Sequence, residues 1–253
     1  MSKLYLLGFV RDCPVAPALR KLPVNLSGRD RLGVLWCPNL QAAFPGKEEF
    51  LVALLDFYRY LCEAQISFIP IQTGVRAGSE EDILRLLDRY QVQLADCFEL
   101  VSGCREYCLN AGVQTDACAG QVYPGANSRC RSGKEYLEHL QRNRTAVQAR
   151  ARQAQETVNM LVSRLKPWSR DHWKDSEASP DGKVDMAFLV PVEAEQDFLQ
   201  ALSNTGQELE VDILWSGPWP PFHFSTFSLK PDESLVRETL DWGRGEDRYD
   251  RPH

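Results

Sequence analysis

Apolar and polar residues alternate cleanly from Glu208 to Trp215. Leu209, Val211, Ile213 and Trp215 fall on one side of a period of two, and Glu208, Glu210 and Asp212 fall on the other. That period is the mark of a half-buried strand. It stops at Gly217-Pro218-Trp219-Pro220-Pro221. Proline removes a backbone donor and fixes φ, so a central strand cannot continue through this segment. The chain leaving the strand carries Trp219, Phe222 and Phe224. Two readings stand at this point. The aromatics tuck back onto the core, or they form an exposed aromatic–proline surface that docks a partner.

The rest of the chain divides by the same logic. Leu4 to Val10 is an apolar run of strand length, read as buried on both faces, with Gly8 marking a close approach. Arg11 to Asp30 reads as loop, and Leu32 to Cys37 as a second short strand. After Pro45-Gly46, Phe50, Leu51, Leu54, Phe57, Tyr58 and Leu61 recur at three and four, a wide helical stripe with Glu48 and Glu49 in its first turn. Ile66 to Ile71 reads as a strand that Pro70 places at an edge or an end. Ser79, with Asp82 three residues on, caps a helix whose stripe runs from Ile83 to Val101 and stops at Gly103.

A second set of elements follows. Cys104 to Val113 is a strand, Gln114 to Ser132 a long mobile loop, and Gly133 to about Lys166 the longest helix. Leu137, Leu140, Arg144, Val147, Ala151, Ala154, Val158, Leu161 and Leu165 alternate steps of three and four, a heptad seam flawed by Arg144. At ~1.5 Å per residue such a helix is about 50 Å long and should overhang a small sheet. It either packs on its own sheet and is solvated elsewhere, or projects as an arm for a partner. Pro167 to Gly182 reads as loop and Val184 to Val190 as a strand. A short helix from Pro191 is ended by Gly206, and the alternating strand comes next. Ser234 to Trp242 reads as a peripheral helix, with disorder beyond it.

Strand, long helix, strand, helix, strand is a ferredoxin-like core short of one strand, which the segment after Pro221 is expected to supply. The fold class expected is therefore α+β in two domains. Residues 1–102 form an N-terminal domain, residues 103–230 a C-terminal domain containing the long helix 133–166, and residues 231–253 a tail.

Several motifs in series resemble a known family. Gly217-Pro218-Trp219-Pro220-Pro221 followed by Phe222 and Phe224 resembles the C-terminal signature of the gas vesicle F/L proteins. Ser132-Gly133-Lys134-Glu135-Tyr136-Leu137 is similar to that family's Gly-x-x-Tyr-Leu opening of a long basic helix. Phe188-Leu189-Val190-Pro191, Phe68-Ile69-Pro70-Ile71 with Gly74, and Glu106-Tyr107 resemble further family pieces in the same order. Gln72-Thr73 stand where the family usually carries Arg-Phe. The resemblance implies ferredoxin-like topology in both domains, the first of them modified. It also implies a minor protein of the gas vesicle that takes part in assembly and contacts the small hydrophobic shell protein and other accessory proteins.

Charge sharpens the picture. The 253 residues carry a formal charge of −6, which argues against a general nucleic-acid binder. Between Arg129 and Lys166, however, nine Lys and Arg face three Glu. A solvated face explains that excess, or an acidic partner does. The candidate partner-binding residues are accordingly Gly217, Pro218, Trp219, Pro220, Pro221, Phe222 and Phe224, with Arg144, Arg150 and Arg152 on the long helix.

The remaining chemistry is sparse. No run of ~18 apolar residues is present to span a membrane. The opening apolar run is too short for a signal peptide, so a cytoplasmic protein is expected. Among eight cysteines, Cys104, Cys108, Cys118 and Cys130 lie near one another in sequence. They lack the Cys-x-x-Cys spacing of a zinc knuckle, and no metal or cofactor is expected. No phosphate loop, nucleophile elbow or His-Glu-x-x-His motif occurs, and the four histidines are scattered. An assembly protein is thus expected rather than an enzyme. The alternatives are a small-ligand or catalytic domain on a ferredoxin-like scaffold, and a basic-helix adaptor for an acidic partner.

Overall fold

The computed structural model describes residues 3–13, 22–39, 43, 44, 46–113, 133–175, 183–209, 211–225, 229 and 235–237. The loop expected at 114–132 and the tail beyond 237 lie outside them. The chain forms two compact units, residues 1–105 with 218–253 and residues 106–217.

The first unit is built on β1 (Leu4–Arg11), which is flanked by β3 (Leu32–Pro38) on one side and by β4 (Phe68–Pro70) and β5 (Val75–Ala77) on the other. β2 (Asn25–Arg29) pairs β3 at one edge, and β10 (Leu235–Arg237) pairs β5 at the other. Two helices cover the sheet, α1 (Lys47–Glu63) and α2 (Glu80–Val101). Tyr5, Leu7, Val10, Leu35 and Cys37 pack with Phe50, Leu54, Phe57 and Tyr58 of α1. Side chains of the opposite parity meet α2. Ser27 donates to Glu80 at 3.0 Å, Arg29 to Asp88 at 2.9 Å and Arg11 to Glu99 at 3.0 Å. Each helix therefore covers its own face. This explains why β1 is apolar throughout, and it is the way this unit modifies the ferredoxin-like plan. The cap of α2 is as the sequence indicates, with the Asp82 N–H donating to the Ser79 hydroxyl at 3.2 Å.

β1 changes parity partway along. Leu6 pairs Trp36 and Gly8 pairs Leu35, which leaves Leu7 as an extra residue in a bulge. Tyr5, Leu7 and Val10 thereby share one face despite their uneven spacing. Gly8 sits under the Phe68 ring.

The second unit runs β6 (Cys104–Val113), α3 (Gly133–Leu165), β7 (Asp171–Lys174), β8 (Lys183–Pro191), α4 (Glu195–Leu209) and β9 (Val211–Trp219), with sheet order β7-β8-β6-β9. That order and succession are ferredoxin-like. Tyr107, Leu109 and Ala111 of β6 and Met186, Phe188 and Val190 of β8 share one core with both helices. Among the described residues, α3 enters it through its C-terminal third. Val158, Leu161 and Leu165 are buried, while Leu137 is 65% and Leu140 45% exposed. Burial of the three aliphatic residues stabilises the packed end by about 2 kcal/mol each.

The structure departs from the sequence reading in particular places. The fourth strand of the second unit is β7, inside a stretch read as loop, and not the segment after Pro221. β2 likewise lies within the expected Arg11–Asp30 loop, and Leu235–Arg237 is strand where a helix was expected. β2, β7 and β10 are edge strands among the described residues, and edges need no continuous apolar run. β9 continues through Pro218. It too lies at an edge, where a missing N–H breaks no ladder. α4 runs on past Gly206 to Leu209, and the glycine serves a close crossing rather than a stop: a Cβ there would lie 3.3 Å from Ile213.

Gly8 offers the sharpest test of this packing. A Cβ on it would stand 2.2 Å from Phe68 Cζ and 2.6 Å from the Ile69 carbonyl oxygen. The ring can shift, but the backbone oxygen cannot without breaking the β1–β4 pairing. Gly8→Ala is expected to destabilise the chain by about 1–3 kcal/mol, read as a lower urea midpoint at unchanged slope. An unchanged midpoint would show that β4 is free to move.

Candidate functional site

The Gly217–Phe224 segment passes from the second unit to the first, and each part is shaped by contacts within its own unit. Gly217 has φ +144, a region that favours glycine. A Cβ there would fall 2.8 Å from the Glu106 carbonyl oxygen and 2.9 Å from Tyr107 Cδ1. The residues from Pro218 onward belong to the first unit. They turn tightly: the Phe222 N–H donates to the Pro220 carbonyl at 2.8 Å, and the Ser225 hydroxyl donates to the Pro221 carbonyl. With φ fixed at Pro220 and Pro221, this turn has little freedom.

The turn sorts the aromatics. Phe224 is buried at 3% exposure, and Pro220 and Pro221 are buried with it. Trp219 is half-buried. Phe222 is 42% exposed, and its ring meets Tyr58 of α1 edge-to-face with centroids 5.2 Å apart. Tyr58 in turn contacts Phe57 at 5.5 Å and Phe68 at 6.1 Å. A ladder of rings thus leads from the core at Phe68 out to Phe222. Burial pushes the Tyr58 phenol pKa up.

The long-helix residues belong to the second unit. Arg144 and Arg152 are exposed on α3, and the Arg150 side chain lies outside the described residues. Sequence reasoning grouped them with the aromatic segment by charge and motif alone; the arginines belong to the second unit and the aromatic turn to the first. It missed Tyr58, which reads as one more member of a wide stripe. Its pairing with Phe222 spans a sequence separation that carries no local signal.

Two other features bear on chemistry. An open depression of about 500 Å³ is lined by Asp12, Cys13, Gly28, Asp30 and Arg31. Two of its charges pair: Arg31 Nε donates to Asp12 at 2.7 Å, and that hydrogen bond holds the Asp12 carboxyl below its usual range. Of the cysteines close in sequence, Cys104 and Cys108 lie on β6, and Cys118 and Cys130 lie outside the described residues. The Cys108 thiol donates to Glu106 at 3.3 Å; burial, then the adjacent carboxylate, push it up to about 12.

These features define an α+β protein of two sheet-and-helix units, the second ferredoxin-like, with an aromatic turn held on the first and a basic helix extending from the second. The chain belongs to the family described as gas vesicle synthesis protein GvpL/GvpF, whose model matches residues 4–226. Its fold is that of solved relatives. It superposes on the crystal structure of the gas vesicle protein GvpF from Anabaena sp. PCC7120 with a TM-score of 0.72 at 19% identity, over 90% of this chain and 100% of that one. GvpF from Microcystis aeruginosa gives 0.65 at 18%, over 89% and 99%. No curated protein sequence matches the chain. Family membership gives the protein a gas vesicle-related role. Among the described residues, no helix is long and apolar enough to cross a membrane.

The thiol environments have a direct consequence. Burial alone pushes Cys37 up to about 12, and Cys108 matches it. Only the thiolate alkylates, and an ordinary thiol ionises near ~8.5. At pH 8 iodoacetamide should therefore modify Cys37 and Cys108 at least about a hundredfold more slowly in the folded protein than in urea. Peptide mapping that finds either labelled at the unfolded rate would contradict these environments.

Proposed function

We propose that this chain binds the small hydrophobic gas vesicle shell protein during vesicle formation, through the surface formed by Trp219 and Phe222. The reading rests on one observation: a proline-stiffened turn holds the Phe222 ring half in solvent and braces it on Tyr58. An exposed aromatic that is already ordered loses little entropy on binding, and such rings commonly dominate interface energetics. An unassembled shell subunit exposes apolar surface that must be covered to stay soluble. A rigid aromatic anchor beside Trp219 suits that task. Gly217 and Pro218 set the entry to the turn, and Pro220, Pro221 and Phe224 anchor it from beneath. The role is non-catalytic and places the chain in the cytoplasm with the forming vesicle. Arg144, Arg150 and Arg152 make the long helix a second docking element, for other gas vesicle accessory proteins.

The test is co-expression of the chain with the small shell protein, followed by capture at moderate salt. The intact chain should retain soluble shell protein. Phe222→Ala and Trp219→Ala should each weaken retention by about tenfold or more, with the circular dichroism spectrum unchanged. Undiminished retention would show that these rings do not bind the shell protein, and loss of fold in both variants would make their role structural; either refutes the proposal.

A further inference from the structure

We propose that β9 pairs with β9 of a second copy of this chain, joining two second units edge to edge into one continuous sheet. The inference stands on the second unit alone and does not involve the shell protein. Among the described residues, the two sheets end in β10 and β2 and in β7 and β9. Three of these four ends are guarded. β7 has four residues and carries Asp171 and Lys174, both exposed. β10 has three residues and ends on Arg237. β2 has five residues and ends on Arg29, which is paired with Asp88 of α2. Short length and charge are the usual protections of an edge against strand addition. β9 has neither. It is nine residues long, and no charged residue occurs from Ile213 to Trp219. Leu214 and Trp215, at its middle, are 59% and 51% exposed.

The side chains of β9 match their own copy. Val211 and Ile213 lie against the core of the second unit, so Leu214 falls on the opposite face of the sheet. Trp215 returns to the core side, where its ring meets Tyr107 at 6.0 Å. Two copies of β9 set antiparallel about Leu214 place Leu214 against Leu214 on one face. On the other face Ile213 stands against Trp215, on each side of the axis. Asp212, the strand's one charged residue, falls opposite Ser216, so no like charges meet. Aliphatic and aromatic pairs directly opposite one another are the pairs that stabilise a ladder. A register centred on Ile213 would instead set Leu214 against Asp212, and one centred on Trp215 would set Leu214 against Ser216. Bare main chain accepts any strand, but this match on both faces selects the chain's own β9. Because the same strand lies on both sides, the contact is isologous and closes at two copies. Its seam of about five residues per copy covers less than the ~1,600 Å² of a standard interface, so the dimer forms at micromolar concentrations rather than nanomolar.

Sedimentation velocity of the full-length chain alone tests this. The weight-average mass should rise with protein concentration from monomer to dimer and go no further. Added salt should not reverse the rise, because no ion pair crosses the seam. Leu214→Lys sets two ammonium groups opposite one another and should weaken self-association by about tenfold or more. The circular dichroism spectrum should not change, because the position is exposed. Leu214→Cys gives a second readout. Residues directly opposite in an antiparallel pair have Cα atoms about 4.5–5.5 Å apart, within reach of a disulfide. Mild oxidation should therefore cross-link this variant into dimers. Ser216→Cys lies opposite Asp212 in this register and should cross-link no more than the unsubstituted chain. A chain that stays monomeric at all concentrations would overturn the proposal. So would a dimer indifferent to Leu214→Lys, or a Leu214→Cys variant that cross-links no more than Ser216→Cys.

Discussion

Phe68 lies on Gly8, and much of the first unit follows from that contact. The absence of a side chain at Gly8 lets the ring of Phe68 drop onto β1. Phe57 then packs edge-on against Phe68 with centroids 5.6 Å apart, and Tyr58 leans on both rings. The bulge at Leu7 keeps Tyr5, Leu7 and Val10 on the same side to complete this core. The outermost rung, Phe222 on Tyr58, is thus supported by a stack whose base is a single missing methyl group. Packed interiors transmit small displacements rather than absorb them, so an exposed side chain at the surface inherits its position from a glycine in the central strand.

The second unit solves a different problem. A ferredoxin-like sheet with both helices on one face needs only part of a 33-residue helix to cover it. Val158, Leu161 and Leu165 do the covering, while Leu137 and Leu140 nearer the N-terminal end are exposed. A helix longer than its sheet retains exposed leucines only where something else is to meet them or where charge keeps them solvated. Here charge applies, since Leu137 and Leu140 are bracketed by Lys134 and Arg144.

The fold was legible where residues are buried. The stripe of α2, that of α1 apart from the exposed Leu51, and β6 at Cys104–Val113 appear in the sequence because burial imposes a period; the Ser79 cap and the extent of α3 appear too, although Leu137 and Leu140 of its seam are exposed. β2, β7 and β10 were not legible, because an edge strand meets solvent and its residues obey no period; Ser27 in β2 is buried only because the Trp36 indole and Glu80 hydrogen-bond it. The proline segment misled in the other direction. Pro218 reads as a strand breaker, yet at an open edge it breaks nothing. Of the candidate site, the motif that carries the family resemblance was plain, but its division into buried Phe224 and exposed Phe222 was not. That division depends on a turn closed by two backbone carbonyls and on a ring contact with α1, neither of which has a sequence signature.

An aromatic turn built on a rigid ladder and a role in gas vesicle formation meet in one claim, that Phe222 and its supports form the surface that receives the shell protein. Hydrogen–deuterium exchange of the chain with and without the co-purified shell protein measures this most directly. The account predicts slowed exchange in peptides covering residues 217–225 and the Tyr58 turn of α1, with β1 unchanged because it is already protected. Slowed exchange confined to other segments, or none in a complex shown to be formed, would contradict it.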